Sequence, residues 1–278
     1  IMKLSYFLKL VLGTIILTVL HVLSEIFFTG GTTLNITYVS WALISNFLII
    51  ALLGFYVRQS TLKGVKLTFS IFLIYYIIRH FNILIEAYIF NVTDREETIR
   101  EMLQGLFIAS LFSPVFVYLF NKWAGKIKVL QFKKRSIFSW VWRVISGVFL
   151  YLIFYITAGI ILQTAYPGLM DFYKDKLPSM DVMFLTQFPR GLLFVAVAVL
   201  ILRTAQTKQM QSAVLIGLVF SILGGITPLI IPNELMPGNI RLVHGFEVGI
   251  SNFLYGFALG FLLRQKTLYE NPSSANTL

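Results

Sequence analysis

The chain has 278 residues, of which 57% are hydrophobic and 13% are charged. This composition excludes an ordinary soluble domain, in which charged residues make up about 25%. The formal net charge of +11 does not indicate a nucleic-acid partner, because the basic residues are dispersed over short segments between apolar stretches. The composition therefore indicates a membrane protein.

Eight apolar stretches are long enough to cross a hydrocarbon core, which takes about 20 helical residues. The stretches are continuously apolar, whereas barrel strands alternate between apolar and polar residues. They cover residues 5–28, 39–57, 65–91, 101–121, 139–163, 184–203, 209–231 and 242–263. The predicted fold is an all-α polytopic membrane protein with eight transmembrane helices.

The charges between the stretches predict the topology, since Lys and Arg are retained on the cytoplasmic side. Both termini and the even-numbered connections carry sixteen of the 23 basic residues: Lys3, Lys9, Arg58, Lys63, Lys66, Lys122, Lys126, Lys128, Lys133, Lys134, Arg135, Arg143, Arg203, Lys208, Arg264 and Lys266. The opposite connections carry Asp94, Glu96, Glu97, Asp171, Asp175, Asp181 and Glu234, and Glu270 alone is acidic on the basic side. We expect cytoplasmic termini, a bacterial inner (plasma) membrane and contact with anionic lipid.

The two halves of the chain resemble each other in order and spacing. The aligned pairs are Gly13 with Gly147, His21 with Tyr155, Arg58 with Arg203, Lys63 with Lys208, and Arg100 with Arg241. Because each half has an even number of spans, the two copies would be parallel. The predicted organisation is a first four-helix repeat (1–123), a basic cytoplasmic linker (124–138), a second four-helix repeat (139–266) and a polar cytoplasmic tail (267–278).

Ionisable residues inside the predicted spans are expensive to bury and need partners or water. They concentrate in the half of the membrane opposite the basic loops, and helical spacing places Arg79, Asn82 and Glu86 on one face. The predicted substrate-binding residues are Arg79, His80, Glu86, Arg190, Arg241, His244 and Glu247. This pattern indicates a polar cavity that opens outward and binds a small solute or ion. The alternative is an ion-pair network that holds the helices together.

Cofactor chemistry stays open at this stage. With no cysteine in the chain, a metal would need His and carboxylate ligands. The candidates are His21, Glu25, His244 and Glu247, and the histidines are also candidate haem ligands. Hydrogen-bonded or titrating histidines are the simpler interpretation, and no metal site is predicted.

The segment around Glu96, Glu97 and Arg100 resembles the Glu-Glu-Arg motif of intramembrane CAAX-type proteases. The spacing to the arginine is one residue shorter than in that family, and only His244 follows where the motif needs further histidines. We therefore do not assign that family's activity to this chain.

The connection before the last span contains Pro228, Pro232 and Pro237, which interrupt helices. Asn239 is predicted to cap the eighth helix. The outer loop 232–240 is interpreted as a lid over the cavity, as a binding site for a membrane protein partner, or as a rigid connection.

The sequence is compatible with three classes of function. The preferred one is transport of a small solute or ion through the cavity. The alternatives are a membrane-embedded enzyme that acts on lipid or isoprenoid substrates at the outer leaflet, and a non-catalytic membrane subunit or sensor.

Overall fold

The computed structural model describes residues 5–31, 36–127, 130–233 and 236–265. Eight helices in these ranges are long and apolar enough to cross a membrane, which confirms the predicted fold class. In chain order they are α1 (Tyr6–Thr29), α2 (Ile36–Gln59), α3 (Gly64–Ile89), α4 (Arg95–Leu119), α5 (Ile137–Ala165), α6 (Met180–Thr204), α7 (Gln209–Ile230) and α8 (Gly238–Leu263). A short connecting helix, Pro167–Tyr173, lies between α5 and α6.

Several predictions fall outside the described residues: the tail 267–278, and Lys3, Lys128, Glu234, Lys266 and Glu270. Within the described residues, we call the end of the bundle with connections 90–94 and 166–179 the acidic end. The opposite end, with connections 60–63, 120–127 and 205–208, is the basic end.

Side-chain caps begin several of the helices. Ser5 accepts from the backbone N–H of Leu8, and Asp94 accepts from that of Glu97, so each satisfies a donor that the first helical turn leaves free. The predicted cap of α8 is wrong. This helix begins at Gly238, after Pro237, and the Asn239 side chain instead donates to the Tyr166 hydroxyl at 3.2 Å.

A π-helical turn interrupts α3 at Ile77–Phe81 and a second one interrupts α7 at Ile222–Ile226. Thirteen residues of α-helix precede each turn. A Cβ atom added at Gly224 would lie 3.3 Å from the Ile78 side chain, so the two turns contact each other at the centre of the bundle. Pro228 follows the second turn within the helix and does not end it, contrary to the prediction.

The helices of the two halves have corresponding neighbours. In the first half α1 packs against α2 and α4, and α3 packs against α4. In the second half α5 packs against α6 and α8, and α7 packs against α8. Between the halves, α2 contacts α7 and α3 contacts α6. The corresponding neighbours and the paired π turns agree with an internal repeat, which stays a prediction.

The two halves meet at the basic end through their second connections. Ser60 and Ala205 form an antiparallel bridge. The N–H of Thr61 donates to the Thr204 carbonyl at 2.8 Å, and the N–H of Gln206 donates to the Gln59 carbonyl at 2.9 Å. Fully buried side chains fill the bundle beside this bridge, including Leu53, Tyr56, Leu67, Ile201 and Leu215. The bundle is therefore closed at its basic end.

Helices α7 and α8 approach each other through small residues. A Cβ atom at Gly256 would lie 2.9 Å from the Gly217 Cα, and one at Gly260 would lie 2.6 Å from the Ala213 Cα. Real Cβ atoms do not come this close to backbone. The backbones are therefore in direct contact, which is how membrane helices gain packing energy without a hydrophobic effect.

The Gly260→Ala substitution is expected to lower the melting temperature in detergent, because α7 and α8 must separate to admit the methyl group at a cost of about 1–3 kcal/mol. Gly159→Ala is the matched control, since a Cβ there meets no atom within 4 Å, and alanine favours the helix. Equal melting temperatures for the two variants would contradict this description of the α7–α8 contact.

Candidate functional site

A cavity of about 1110 Å³ lies in the acidic half of the bundle. Both halves of the chain contribute to its wall, through side chains from α1 to α8 and from the connecting helix. Among its lining residues none comes from connections 60–63, 120–127 or 205–208. The cavity is therefore associated with the acidic end alone, and the closed basic end separates it from the other face.

Six of the seven predicted substrate-binding residues line this cavity. They are Arg79, His80, Glu86, Arg190, His244 and Glu247. His21 and Glu25 also line it, as do Arg100, Glu101 and Gln104. The structure thus brings together charged residues that are scattered over five helices of the chain.

Arg190 is buried, with 5% of its surface exposed. Its Nε donates to the side-chain and main-chain oxygens of Asn82, each at 3.2 Å. One terminal nitrogen donates to Gln187 Oε1 at 2.8 Å, and the other lies 2.7 Å from Glu86 Oε2. We call these contacts the Arg190 clasp. It joins α6 to α3 across the two halves and pairs the charge of Arg190 with that of Glu86.

Arg79 differs from Arg190 in having no such partners. It lies within the π turn of α3 and faces the cavity. Its Nε is buried without a hydrogen-bond partner. Within the described residues, no carboxylate oxygen lies within 4.0 Å of its nitrogens. Tyr38, Tyr75 and Glu101 are its electrostatic neighbours.

The expected single polar face of α3 is therefore divided. Asn82 and Glu86 face Arg190 on α6, whereas Arg79 has its neighbours on α1, α2 and α4. The division coincides with the π turn, whose N–H to C=O bond runs from Asn82 to Ile77 and inserts a residue into the helical register.

His80 packs beside Arg79 at the bottom of the cavity. Its ring contacts Tyr75 edge-on at 5.4 Å and stacks on Tyr76 at 6.4 Å. A Cβ atom at Gly105 of α4 would lie 2.4 Å from the imidazole, so glycine is required there for the ring to fit. The His80 Nε2 is buried without a hydrogen-bond partner. Two consecutive residues of one π turn thus leave buried nitrogens unsatisfied.

The predicted metal candidates divide into two pairs that make other contacts. His21 Nδ1 donates to the Leu17 carbonyl at 2.9 Å, and Glu25 accepts from Gln104 at 3.0 Å. His244 Nδ1 lies 3.1 Å from Glu247 Oε2. Among the described residues, no group of three or more such side chains is arranged to hold a metal ion.

The His244–Glu247 pair lies at the side of the cavity next to the connecting helix. The ring of Tyr173 contacts His244 at 6.0 Å between centroids. Burial, together with the nearby Glu86 and Glu247 carboxylates, raises the pKa of Tyr173. Its phenol therefore stays neutral at physiological pH and keeps its proton for a hydrogen bond.

Arg241 is the predicted site residue that does not line the cavity. Its side chain is buried against the preceding loop, where Nη1 lies 3.4 Å from the Met236 carbonyl. Described residues of that loop also border the cavity. Pro232, Asn233 and Met236 line it, and Met236 packs in an apolar cluster with Leu162. The interpretations of loop 232–240 as a lid, as a partner-binding site and as a rigid connection all stay predictions.

The sequence interpretation missed the aromatic hydroxyls. Tyr38, Tyr151, Tyr155, Tyr173 and Tyr255 all line the cavity. The available signal was the four-residue spacing of Tyr151 and Tyr155, which places both on one face of α5. These tyrosines combine an apolar ring with a polar group, so the cavity is amphipathic.

Comparison of the chain with known protein families, with curated proteins and with solved structures finds no match. The geometry of the cavity is therefore the basis for any functional assignment.

Replacing Arg190 with Met should destabilise the protein by about 2–3 kcal/mol, because the buried Asn82 and Gln187 side chains lose their donor and the Glu86 carboxylate, which is 29% exposed, loses its counter-ion. The readout is thermal unfolding in a mild detergent. The double variant Arg190→Met with Glu86→Gln should recover part of the loss, since it removes the orphaned charge.

Arg100→Met is the matched control for the clasp. Arg100 also lines the cavity, but it is 39% exposed and its nearest carboxylate, Glu97, is 3.8 Å away, so the change should cost less than about 1 kcal/mol. A loss for Arg190→Met no larger than this control would show that the clasp does not stabilise the bundle.

Proposed function

We propose that the protein is a transporter that takes a small organic solute into the cavity from the acidic end and releases it at the basic end. The supporting observation is the cavity itself, which is lined by both halves of the chain, is accessible at one end and is closed at the other. Transporters built from repeats bind their substrates near the bilayer midplane at the repeat interface.

Volume and lining point to an organic solute rather than a bare ion. Pockets for small organic molecules measure about 300–1000 Å³, and this cavity is as large as that upper value. Apolar side chains such as Ile83, Ile108 and Phe154 alternate with the charged groups on its wall. A bare ion would need a narrow ring of oxygen ligands instead.

Two structural features define what must change during transport. The bridge between Ser60 and Ala205 closes the basic end, so it has to open for release. The Arg190 clasp crosses between the halves beside the cavity. Glu86 and the His244–Glu247 pair supply groups that exchange protons or ion-pair partners as the halves move. The acidic end faces the outside of a bacterial inner membrane in this proposal, as the distribution of basic residues favours.

The absence of cysteine makes alternating access measurable with single-cysteine variants. Ser251 lines the cavity and makes only a local contact, to the Val248 carbonyl at 3.3 Å. We expect Ser251→Cys to react with a membrane-impermeant maleimide added from the outside, and also, more slowly, with reagent added from the inside. The measurement compares right-side-out with inside-out membrane vesicles.

Leu254→Cys is the matched control, because this side chain is 47% exposed on the surface of α8 and does not line the cavity. It faces lipid and should react poorly from either side. Reaction of Ser251→Cys from one side only, under all conditions that keep the protein folded, would contradict transport.

A second candidate function is catalysis on a lipid or isoprenoid substrate at the outer leaflet. The observation that favours it is the His244–Glu247 pair, whose 3.1 Å separation suits a general acid or base oriented by a carboxylate. Turnover of lipid by the purified protein in detergent, with no membrane gradient, would identify an enzyme.

A further inference from the structure

We propose that the floor of the cavity binds the anionic head of an amphipathic solute, a carboxylate or a phosphate, through Arg79. This inference deepens the proposed function, because it names the class of solute that the transporter would carry.

The two deep arginines differ in how their charge is satisfied. All three nitrogens of Arg190 contact Asn82, Gln187 or Glu86, and its charge is paired with the Glu86 carboxylate. Arg79 makes no such contact with the described residues, and its Nε is an orphaned buried donor. An unpaired guanidinium in a membrane bundle is costly, and an anion in the cavity would satisfy it.

The planar guanidinium selects the chemistry of this anion. Arginine binds carboxylate and phosphate oxygens through two parallel N–H donors, which a point charge such as lysine does not. His80 is the next residue in the same π turn, and its Nε2 is also unsatisfied. The π turn therefore presents two nitrogen-bearing side chains at one place in the cavity wall.

The side chains that line the cavity around Arg79 favour an apolar body for the rest of the ligand. Ile83, Leu84, Phe154, Leu229 and Val248 line the cavity together with the tyrosines. An apolar body would displace water from these side chains, which contributes roughly 25 cal/mol per Å² of apolar surface. The whole ligand is therefore an anion with a sizeable apolar part.

Glu101 is the acidic group that competes with such a ligand for Arg79. It is an electrostatic neighbour of Arg79, but it lies about one helical turn nearer the acidic end and forms no ion pair within 4.0 Å with any described residue. An anion that binds Arg79 would not have to break an ion pair between Arg79 and Glu101, but the Glu101 carboxylate would repel it. Removing that carboxylate should therefore tighten binding.

The test is calorimetric binding of octanoate and octyl phosphate to the protein purified in a neutral maltoside detergent, with octyltrimethylammonium as the cationic comparison. We expect saturable binding of both anions and none of the cation. Arg79→Gln should weaken anion binding about 10-fold to 100-fold, Glu101→Gln should tighten it, and Arg100→Gln at the mouth should change it less than about 3-fold.

Equal affinity of the wild-type protein for the cation, or unchanged anion binding in a folded Arg79→Gln variant, would overturn the inference. The comparison of anion with cation uses only the wild-type protein, so it can refute the inference even where Arg79→Gln does not fold.

The source of the anion is decided by native mass spectrometry of protein taken from nanodiscs of phosphatidylglycerol or phosphatidylcholine. Phosphatidylglycerol retained by the wild type and lost from Arg79→Gln would identify a membrane lipid. Octanoate binding without lipid retention would identify a soluble anion. The absence of both lipid retention and octanoate binding would overturn the inference.

These measurements need no gradient and no movement of the halves. Anion binding together with one-sided labelling of Ser251→Cys would refute transport and support the anion site. Two-sided labelling without anion binding would support transport and refute the anion site.

Discussion

Charged groups within a membrane bundle must meet an opposite charge, a hydrogen-bonding partner or water, since the hydrocarbon around the bundle supplies none of them. This constraint organises the acidic half of the structure. Arg190 meets it through the clasp to Asn82, Gln187 and Glu86, which joins the two halves. Arg79 meets it only through the cavity. The two arginines therefore differ in their partners, although both are deep in the bundle.

Backbone geometry determines where these charges point. The π turns in α3 and α7 contact each other at the centre of the bundle, and π-helical turns inside α-helices are frequent at functional sites. The turn in α3 directs Arg79 away from the face that carries Asn82 and Glu86. The turn in α7 has glycines where α3 has its charged residues, and Gly225 packs against Gly249 of α8 with only 2.9 Å available to a Cβ atom. The same π turn thus places charged side chains at the cavity in one half and allows close packing in the other.

The spans, their order and the charge difference between the two ends could be predicted from the sequence, because hydrophobicity and the placement of Lys and Arg are local properties. Most of the charged cavity residues could also be predicted, since an ionisable residue in an apolar span is conspicuous in the sequence. The direction of Arg79 could not, because helical periodicity assumes 3.6 residues per turn and the π turn violates it. Arg241 was predicted to face the cavity, but its direction depends on the fold of the loop that contains Met236. The tyrosines were missed because their rings count as apolar in any hydropathy pattern.

The central claim is that the two halves move against each other to expose one cavity to either side of the membrane. Pulsed electron paramagnetic resonance tests it directly, using spin labels at Lys66→Cys and Lys208→Cys, two exposed positions at the basic end of the cysteine-free chain. The account predicts two distance populations in lipid nanodiscs, the shorter one for the closed bridge between Ser60 and Ala205, with their proportions shifted by an amphipathic anion. A single distance that no ligand or pH changes would contradict it.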